Sequence, residues 1–282
     1  MSQPSISAYI PCFNNAATLA EVIASIRAQR PGVDDLVVID DGSTDRSASV
    51  AESLGARVVR HEVNLGRGAA RARAMCEARH DLVLCCDGTT ALSADFLERA
   101  LPWFDDPKVA AVFGHWAAAE PGNSLASRWR ARHLFKCDLR FEVARKATLS
   151  TWGAMVRKSL CEAAGGFDPK LRHSEDADLG QRLIGAGYDV VFDPAIQIFA
   201  LTENSVCQVL ERYWRWHAGS GEAATVRDYL KQIAYSIKVM ACRDLAAGDP
   251  LSLPISLLSP HYQFWKTAWR RFRGVAQSRQ RL

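Results

Sequence analysis

The sequence predicts an α/β protein, with a mostly parallel sheet carrying helices on both faces and a helical extension at its C-terminal end. Three observations predict it. Through roughly the first two hundred residues, short apolar runs of strand character alternate with stretches of helical periodicity, the pattern of a sheet covered by crossover helices. Acidic residues stand where several apolar runs end, the edge at which such sheets bind ligands. Beyond residue 206 the strand-like runs stop and only helical patterns remain.

Taken in order, residues 6–10 form a β-rich run ended by Pro11, and residues 18–29 carry apolar side chains at 19, 22, 23 and 26, one face of a helix. Residues 36–39 are a continuous apolar run that breaks into the acidic turn 40–45, followed by a helix over 46–54 and a strand at 58–59. Helix-permissive sequence at 68–78 leads to a buried strand at 82–86, which meets Asp87, and then to a helix over 95–101. A strand is expected at 109–113 and a basic, aromatic-bearing helix over 123–146. The turn cluster 165–169 precedes a helix at 176–186 and a strand at 189–192. Helices are expected at 206–216 and 223–242, with Pro250, Pro254 and Pro260 marking a loop before a last amphipathic stretch. The expected division is a catalytic domain over 1–220 and an extension over 221–282.

Composition narrows the function classes. With 48% hydrophobic and 23% charged residues the chain is neither disordered nor collagen-like. No run approaches the ~18 apolar residues of a membrane span, and the N-terminal residues lack the pattern of a secretory signal. Eight cysteines without a C-x-x-C pair support neither a zinc ribbon nor a disulfide scaffold, so a cytoplasmic location is expected. The net charge of +4 hides two local excesses: seven Lys or Arg against two acids over 127–146, and six against none over 260–282. They imply an anionic partner. No helix-turn-helix, finger or RNP signature accompanies them, so nucleic acid is not expected, while a phosphorylated ligand or a membrane surface is.

Six ordered motifs sharpen the reading. They are Tyr9-Ile10-Pro11-Cys12-Phe13-Asn14-Asn15, Val38-Ile39-Asp40-Asp41-Gly42-Ser43-Thr44-Asp45, Asn64-Leu65-Gly66-Arg67 with Arg71, Asp87-Gly88-Thr89, Gly165-Gly166-Phe167-Asp168, and Glu175-Asp176-Ala177-Asp178-Leu179 with Arg182. Together, over roughly residues 5–220, they resemble glycosyltransferase family 2, nucleotide-sugar enzymes of the GT-A fold. The resemblance implies an inverting transfer from a nucleoside-diphosphate sugar, expected to be a UDP-sugar, to a hydroxyl of a glycan or lipid-linked acceptor. It makes Asp176 the general base, beside Glu175. Pro11, Asn14, Asp40 and Asp41 fall at donor-binding positions, with Asp41 accepting from a base N–H. Arg67 or Arg71 would approach the diphosphate through forked guanidinium bonds, and Asp87 would face the ribose or a diphosphate-bound metal. Gly153, Arg212 and Arg215 complete the donor-binding set, the last two because Arg212-Tyr213-Trp214-Arg215-Trp216 resembles the family's Q-x-x-R-W motif. Ser174 is placed to cap the helix that begins at Glu175, whose dipole favours a carboxylate there.

Two departures bear on the cofactor. Thr89 stands where the family's D-x-D has its second acid, and residues 198–201 lack the histidine often found as a further ligand. Either Asp87 and the diphosphate hold Mg²⁺ or Mn²⁺, or arginines carry the charge of the leaving group. The rival classes are a degenerate domain of this fold that binds without turnover and a dinucleotide oxidoreductase, the latter opposed by the missing G-x-G-x-x-G after the first strand. In the tail, Tyr262, Phe264, Trp265, Trp269 and Phe272 are interleaved with Lys266, Arg270, Arg271 and Arg273, a composition that predicts docking of residues 260–282 on an anionic membrane surface. The alternative is that the aromatic residues pack on the body.

Overall fold

The computed structural model describes residues 4–117, 124–217 and 225–279. In chain order the elements are β1 (Ile6–Cys12), α1 (Leu19–Arg27), β2 (Asp35–Asp40), α2 (Ser47–Ser53), β3 (Arg57–Arg60), α3 (Arg67–Glu77), β4 (Leu82–Cys86), β5 (Thr90–Leu92), α4 (Phe96–Ala100), β6 (Val109–Trp116) and α5 (Leu125–His133). They continue with β7 (Gly153–Arg157), α6 (Lys158–Ala163), α7 (Glu175–Gly185), β8 (Asp189–Ala200), α8 (Val206–His217), α9 (Val226–Tyr235), a π-helical turn (Ser236–Ala241), α10 (Cys242–Ala246) and α11 (Leu253–Arg279). The chain divides into two compact units, one of Met1–Ala117 and Arg140–Thr202, the other of Ala118–Leu139 and Glu203–Leu282. The boundary expected at residue 220 lies outside the described residues.

The first unit is an eight-stranded mixed sheet in the order β3-β2-β1-β4-β7-β6-β8-β5. Strands β3, β2, β1 and β4 run parallel, and β7 turns the direction by pairing antiparallel with both β4 and β6. Side chains of β1 and β2 are buried on both faces, which is why their sequence is continuously apolar rather than alternating. On one face α3 packs through Ala70, Ala74 and Met75, and α7 through Leu179 and Leu183, onto Tyr9, Val37, Ile39, Val83 and Cys85. The two alanines let α3 approach the sheet closely enough to carry Arg71 beneath the strand ends.

Register brings the expected motifs together. Cys12 pairs with Asp40 and Asp40 with Arg60, so the loops leaving β1, β2 and β3 emerge side by side. Cys86 pairs with Gly153, setting the start of β7 beside Asp87. A Cβ on Gly153 would lie 2.5 Å from Ile198 Cγ2, so this glycine is required by packing on β8.

The structure departs from the expected elements in three places. The helix expected over 123–146 is confined to α5, because Lys136 takes a left-handed φ of 56°. Further on, Ala144 and Lys146 form bridges to β8, and Arg145 and Lys146 pair with Asp189. Strands β5 and β7 carry no strong strand signal; they are short and buried against neighbours. The proline-marked loop is absent beyond Leu253: α11 runs through both Pro254 and Pro260. Pro260 cannot donate to the Ser256 carbonyl, the usual cause of a break, but that oxygen accepts from Ser236 Oγ at 2.7 Å and Ser259 Oγ at 2.8 Å.

The second unit is helical, with Trp129 buried against His133 and Tyr213. Arg132 reaches Asp244 at 2.6 Å and Asp249 at 3.2 Å, while Asp244 also accepts from His133 Nε2 and Ser256 Oγ. The basic excess over 127–146 is thus largely answered inside the protein: Arg128, Arg132, Arg145 and Lys146 all have carboxylate partners.

Candidate active site

The site lies in the first unit, where parallel strands end. From β1 the chain enters a loop in which Asn14, in a left-handed φ of 55°, offers Oδ1 to the backbone N–H of Thr44 at 2.9 Å. Its own N–H donates to Ser43 Oγ. Asn14 therefore ties the loop after β1 to the acidic turn after β2, and Pro11, half-buried, sits at the strand end just before it.

Asp40 and Asp41 face different partners. Asp40 is fully buried; it accepts from the Ser43 N–H and lies 3.0 Å from Arg60 Nε, without hydrogen-bond alignment. Asp41 accepts from His61 Nδ1 at 2.7 Å, the Leu65 N–H at 3.0 Å and the Gly66 N–H at 2.8 Å. Three of the roughly four acceptor positions of a carboxylate are thereby filled. A carboxylate only accepts, so the Nδ1 that faces Asp41 carries a proton, and in the neutral ring Nε2 is then an acceptor. His61 lines a cleft of about 390 Å³ together with Gly42, Ser43, Thr44, Arg60 and Glu62.

At the end of β4 the chemistry is ionic. Arg71, only 2% exposed, donates to Asp87 Oδ1 at 2.6 Å and contacts Glu175 Oε1 with its other terminal nitrogen. Burial alone would lower its pKa, but the nearby carboxylates of Asp87 and Asp176 outweigh burial and raise it, so Arg71 stays charged. It is not on a solvated face of α3. Arg67, by contrast, is exposed at the first residue of that helix. Asp87 is 24% exposed and keeps its second oxygen out of the Arg71 contact.

Glu175 and Asp176 open α7 but point apart. Glu175 is buried on Arg71, and its Oε2 has no hydrogen-bond partner. Asp176 is half-buried; Oδ1 accepts from the Ala177 N–H at 2.9 Å, and Oδ2 accepts from Thr151 N and Oγ1 at 3.3 and 3.5 Å. The expected cap is absent: Ser174 is left-handed (φ 62°) and its side chain makes no capping bond. A backbone turned that way aims the hydroxyl out to solvent, and Asp176 takes a first-turn N–H instead.

The surrounding loops are held by glycines and arginines. A Cβ on Gly68 would stand 2.3 Å from the carbonyl oxygens of Asp168 and Leu171, so α3 and the loop before α7 touch backbone to backbone. Arg172 clamps the Asn64 loop, donating to Asn64 Oδ1 at 2.6 Å, and Arg182 holds the Gly165-Gly166 turn through the Gly166 carbonyl. Of the expected donor-binding residues, Arg212 and Arg215 lie on α8 in the second unit, half-buried and exposed respectively.

Four contributors were not anticipated: Tyr9, buried near the charges of Arg71 and Asp87; His61; Thr151; and Arg172. His61 had a signal, since it directly follows a parallel strand. Among the described residues no three His, Cys, Asp or Glu side chains cluster as a metal cage. The residues present do fit a cation that brings its other ligands with a diphosphate: Mg²⁺ commonly takes only one or two carboxylates from the protein, and Asp87 has one oxygen to give.

Comparison with known proteins bears on the family and the fold. The pattern that defines Glycosyl transferase family 2 matches residues 7–164, more than half of the chain. A protein of Mycobacterium tuberculosis named pre-mycofactocin glycosyltransferase is 29% identical over 202 residues, covering 68% of this chain and 42% of its own length. The poly-beta-1,6-N-acetyl-D-glucosamine synthase of Staphylococcus aureus is 23% identical over 233 residues, 79% of this chain and 56% of that protein. The chain thus spans about half the length of these relatives. Among solved structures, the mannosyltransferase PcManGT from Pyrobaculum calidifontis, in complex with GDP-Man and Mn²⁺, superposes with a TM-score of 0.58 at 18% identity, covering 98% of this chain and 81% of that one. Residues 1–349 of S. aureus TarS give a TM-score of 0.53 at 18% identity, with 98% and 91% covered. At such identities these structures establish the fold.

Proposed function

This chain belongs to glycosyl transferase family 2, and on that premise we propose that it transfers a sugar from a nucleoside-diphosphate donor, a UDP-sugar, to a hydroxyl of a glycan or lipid-linked acceptor, inverting the anomeric centre in one displacement. The observation that carries the reading is Asp176: a half-buried carboxylate at the start of α7, fixed through both oxygens, beside a buried arginine that bridges Glu175 and Asp87.

The chemistry follows from these placements. An attacking hydroxyl must lose its proton as the new bond forms, and Asp176 Oδ2, steadied by Thr151, is the acceptor for it. Arg71 sets a fixed positive charge near this carboxylate and holds Glu175, its neighbour in the chain, in place. Among the described residues the other carboxylates nearby, Glu175 and Asp87, are engaged by Arg71 rather than set to form a covalent intermediate, so inversion is expected. The base of the donor rests in the cleft beside Asp41, where His61 Nε2 accepts an N–H from a pyrimidine while Asp41 fixes the ring's tautomer. Arg67, exposed at the start of α3, is free to meet the diphosphate. Asp87 would hold Mg²⁺ or Mn²⁺ through its second oxygen, and such an ion supplies neutralisation of the leaving diphosphate.

The helical unit adds a second element. Trp265 and Trp269, one turn apart on α11, are 70% and 57% exposed, while Lys266 turns inward to Glu211 and Trp214. Exposed aromatic side chains on a basic helix support docking at an anionic membrane face on the cytoplasmic side, where a lipid-linked acceptor would lie. Phe272, Arg271 and Arg273 lie outside the residues whose side chains are described. No helix among the described residues is long and apolar enough to cross a membrane.

The test is Asp176→Asn. It should bind the donor normally and lose about 100-fold or more in turnover; near-normal turnover, or product of retained configuration, would sink the assignment. Absence of even slow donor hydrolysis by the unaltered protein would favour a binding module. Full activity after exhaustive chelation would move the leaving group's charge from a metal to Arg67. Co-sedimentation with anionic vesicles at low salt, lost on truncation at residue 259, checks the docking.

A further inference from the structure

Within the helical unit lies a cleft of about 490 Å³, a volume in the range of small-molecule sites. His133 and Lys136 line it from the end of α5, Tyr213 from α8, Lys231 and Tyr235 from α9, and Gln263 from α11. None of these residues belongs to the first unit or to the donor site built there.

Three features give the cleft a chemistry. Lys136 and Lys231 are exposed cations at its wall. Lys136 has no ion-pair partner among the described residues, because the carboxylate two residues on, Asp138, is held by Arg243. Lys231 is 3.9 Å from Asp228 with both side chains more than half exposed, a pair that contributes little. Of the local basic excess in 127–146, Lys136 is thus a charge that the fold leaves unanswered. The second feature is a pair of tyrosines, Tyr213 buried and Tyr235 45% exposed. Their rings offer a flat amphipathic surface of the kind that takes the C–H face of a pyranose. The third is buried polar capacity. His133 Nε2 is engaged with the carboxylate of Asp244, so the ring proton sits there and Nδ1 remains an acceptor, buried and without a hydrogen-bond partner. The amide of Gln263, 7% exposed, stands on the same wall.

We propose that this cleft is a second binding site, taking a sugar that carries an acidic group, a carboxylate or a phosphate. The tyrosines receive the ring, His133 and Gln263 its hydroxyls, and the two lysines its anion. The site is separate from the transfer chemistry, so its occupancy does not depend on Asp176 or on the identity of the donor.

Titration of the full chain with glucuronic acid, glucose 6-phosphate, glucose and inorganic phosphate tests the proposal, read by calorimetry. One or both acidic sugars should bind saturably at millimolar concentration or below, with glucose and inorganic phosphate each at least about tenfold weaker. Which acidic sugar binds more tightly names the anion. The Lys136→Gln/Lys231→Gln variant, altered only at exposed positions, should lose about tenfold or more in affinity, and Tyr235→Ala should lose affinity for the sugars. The Asp176→Asn protein should bind as the unaltered chain does, so loss of the transfer reading leaves this one standing. Absence of saturable binding by either acidic sugar overturns the proposal. So does equal binding of glucose or of inorganic phosphate, or full affinity in the double variant with its helical circular dichroism intact.

Discussion

Each of the two units buries an arginine between two carboxylates, and the two arrangements serve different ends. In the sheet unit Arg71 joins Asp87 and Glu175; in the helical unit Arg132 joins Asp244 and Asp249. Each unit also sets a histidine on a buried aspartate, His61 on Asp41 and His133 on Asp244. Around Arg71, however, Asp87 stays 24% exposed at the carboxyl end of a strand, and the residue after Glu175 is a half-buried carboxylate. Around Arg132, Asp244 is completely buried and sealed by Ser256 and His133. The same ionic chemistry braces the proposed site in one place and clasps helices in the other. Burial and charge do not separate the two cases; position at the open end of a parallel sheet does.

The largest test of that contrast removes each arginine. Taking one partner from a buried ion group costs about 3–5 kcal/mol, because the remaining charges are left uncompensated. Arg71→Met and Arg132→Met should both lower unfolding free energy by that order in denaturant titrations. They should differ in chemistry: the folded fraction of Arg132→Met keeps its transfer rate, while that of Arg71→Met loses it. Equal activities per folded molecule would erase the distinction between brace and clasp.

The same contrast explains what the sequence revealed. The parallel half of the sheet was legible because β1, β2 and β4 are buried on both faces, and β2 and β4 end on acids; β4, for example, is an apolar run that stops at Asp87. Register carries Asp40, Asp41 and Asp87 to the strand ends, while Glu175 and Asp176 are brought there by the start of α7 and its contacts with Arg71 and Thr151. What escaped was set by tertiary contact. The sequence marks Arg71 beside Arg67 for the diphosphate, but that it is buried follows only from the packing of Ala70 and Ala74 on the sheet. β5 and β7 are five residues or fewer and owe their form to their neighbours. The prolines at 254 and 260 pointed to a loop, since no local rule foretells that Ser236, distant in sequence, would satisfy the Ser256 carbonyl.

A second test uses pH. The hydrogen bonds from Arg128, with those from Ser252 and Arg132, hold the Asp249 carboxyl down to about 2, against 3.8 for the free group. Its contribution is present above the unfolded value and is lost as pH falls through the folded one, about 2 kcal/mol in all. Burial pushes the His133 pKa below 6.5, more strongly than Asp244 raises it. A depressed histidine leaves the unfolded chain as the better proton binder, so stability begins to fall as pH drops past that unfolded value. Melting temperature against pH should show both steps, and His133→Gln should remove the upper one alone. A profile flat down to the carboxylate range would deny that His133 is sealed neutral in the clasp.

The paired histidines give a smaller and more specific test. His61→Ala should raise the donor KM about tenfold, which is about 1.4 kcal/mol, with little change in kcat or melting temperature, because Asp41 retains the Leu65 and Gly66 N–H groups. His133→Gln should do the reverse, shifting stability and leaving KM alone. If His61→Ala lowers kcat with KM unchanged, the cleft beside Asp41 is not where the donor's base rests.

The smallest effect lies in the helical unit and asks how α11 stays continuous across Pro260. The Ser256 carbonyl lacks its usual backbone donor, and two hydroxyls, Ser236 and Ser259, take that place. Ser236→Ala removes one of them at a buried position, and the cost should be about 1 kcal/mol, the net value of an ordinary hydrogen bond. In a Pro260→Ala background the chain regains an N–H four residues beyond Ser256, and the carbonyl has a helical partner again. There the same Ser236→Ala change should cost less, with a coupling of about 0.5 kcal/mol between the two positions. Equal costs in both backgrounds would mean that Ser236 contributes by packing alone. The helix would then pass the proline on the strength of its tertiary contacts rather than through repair of the one orphaned oxygen.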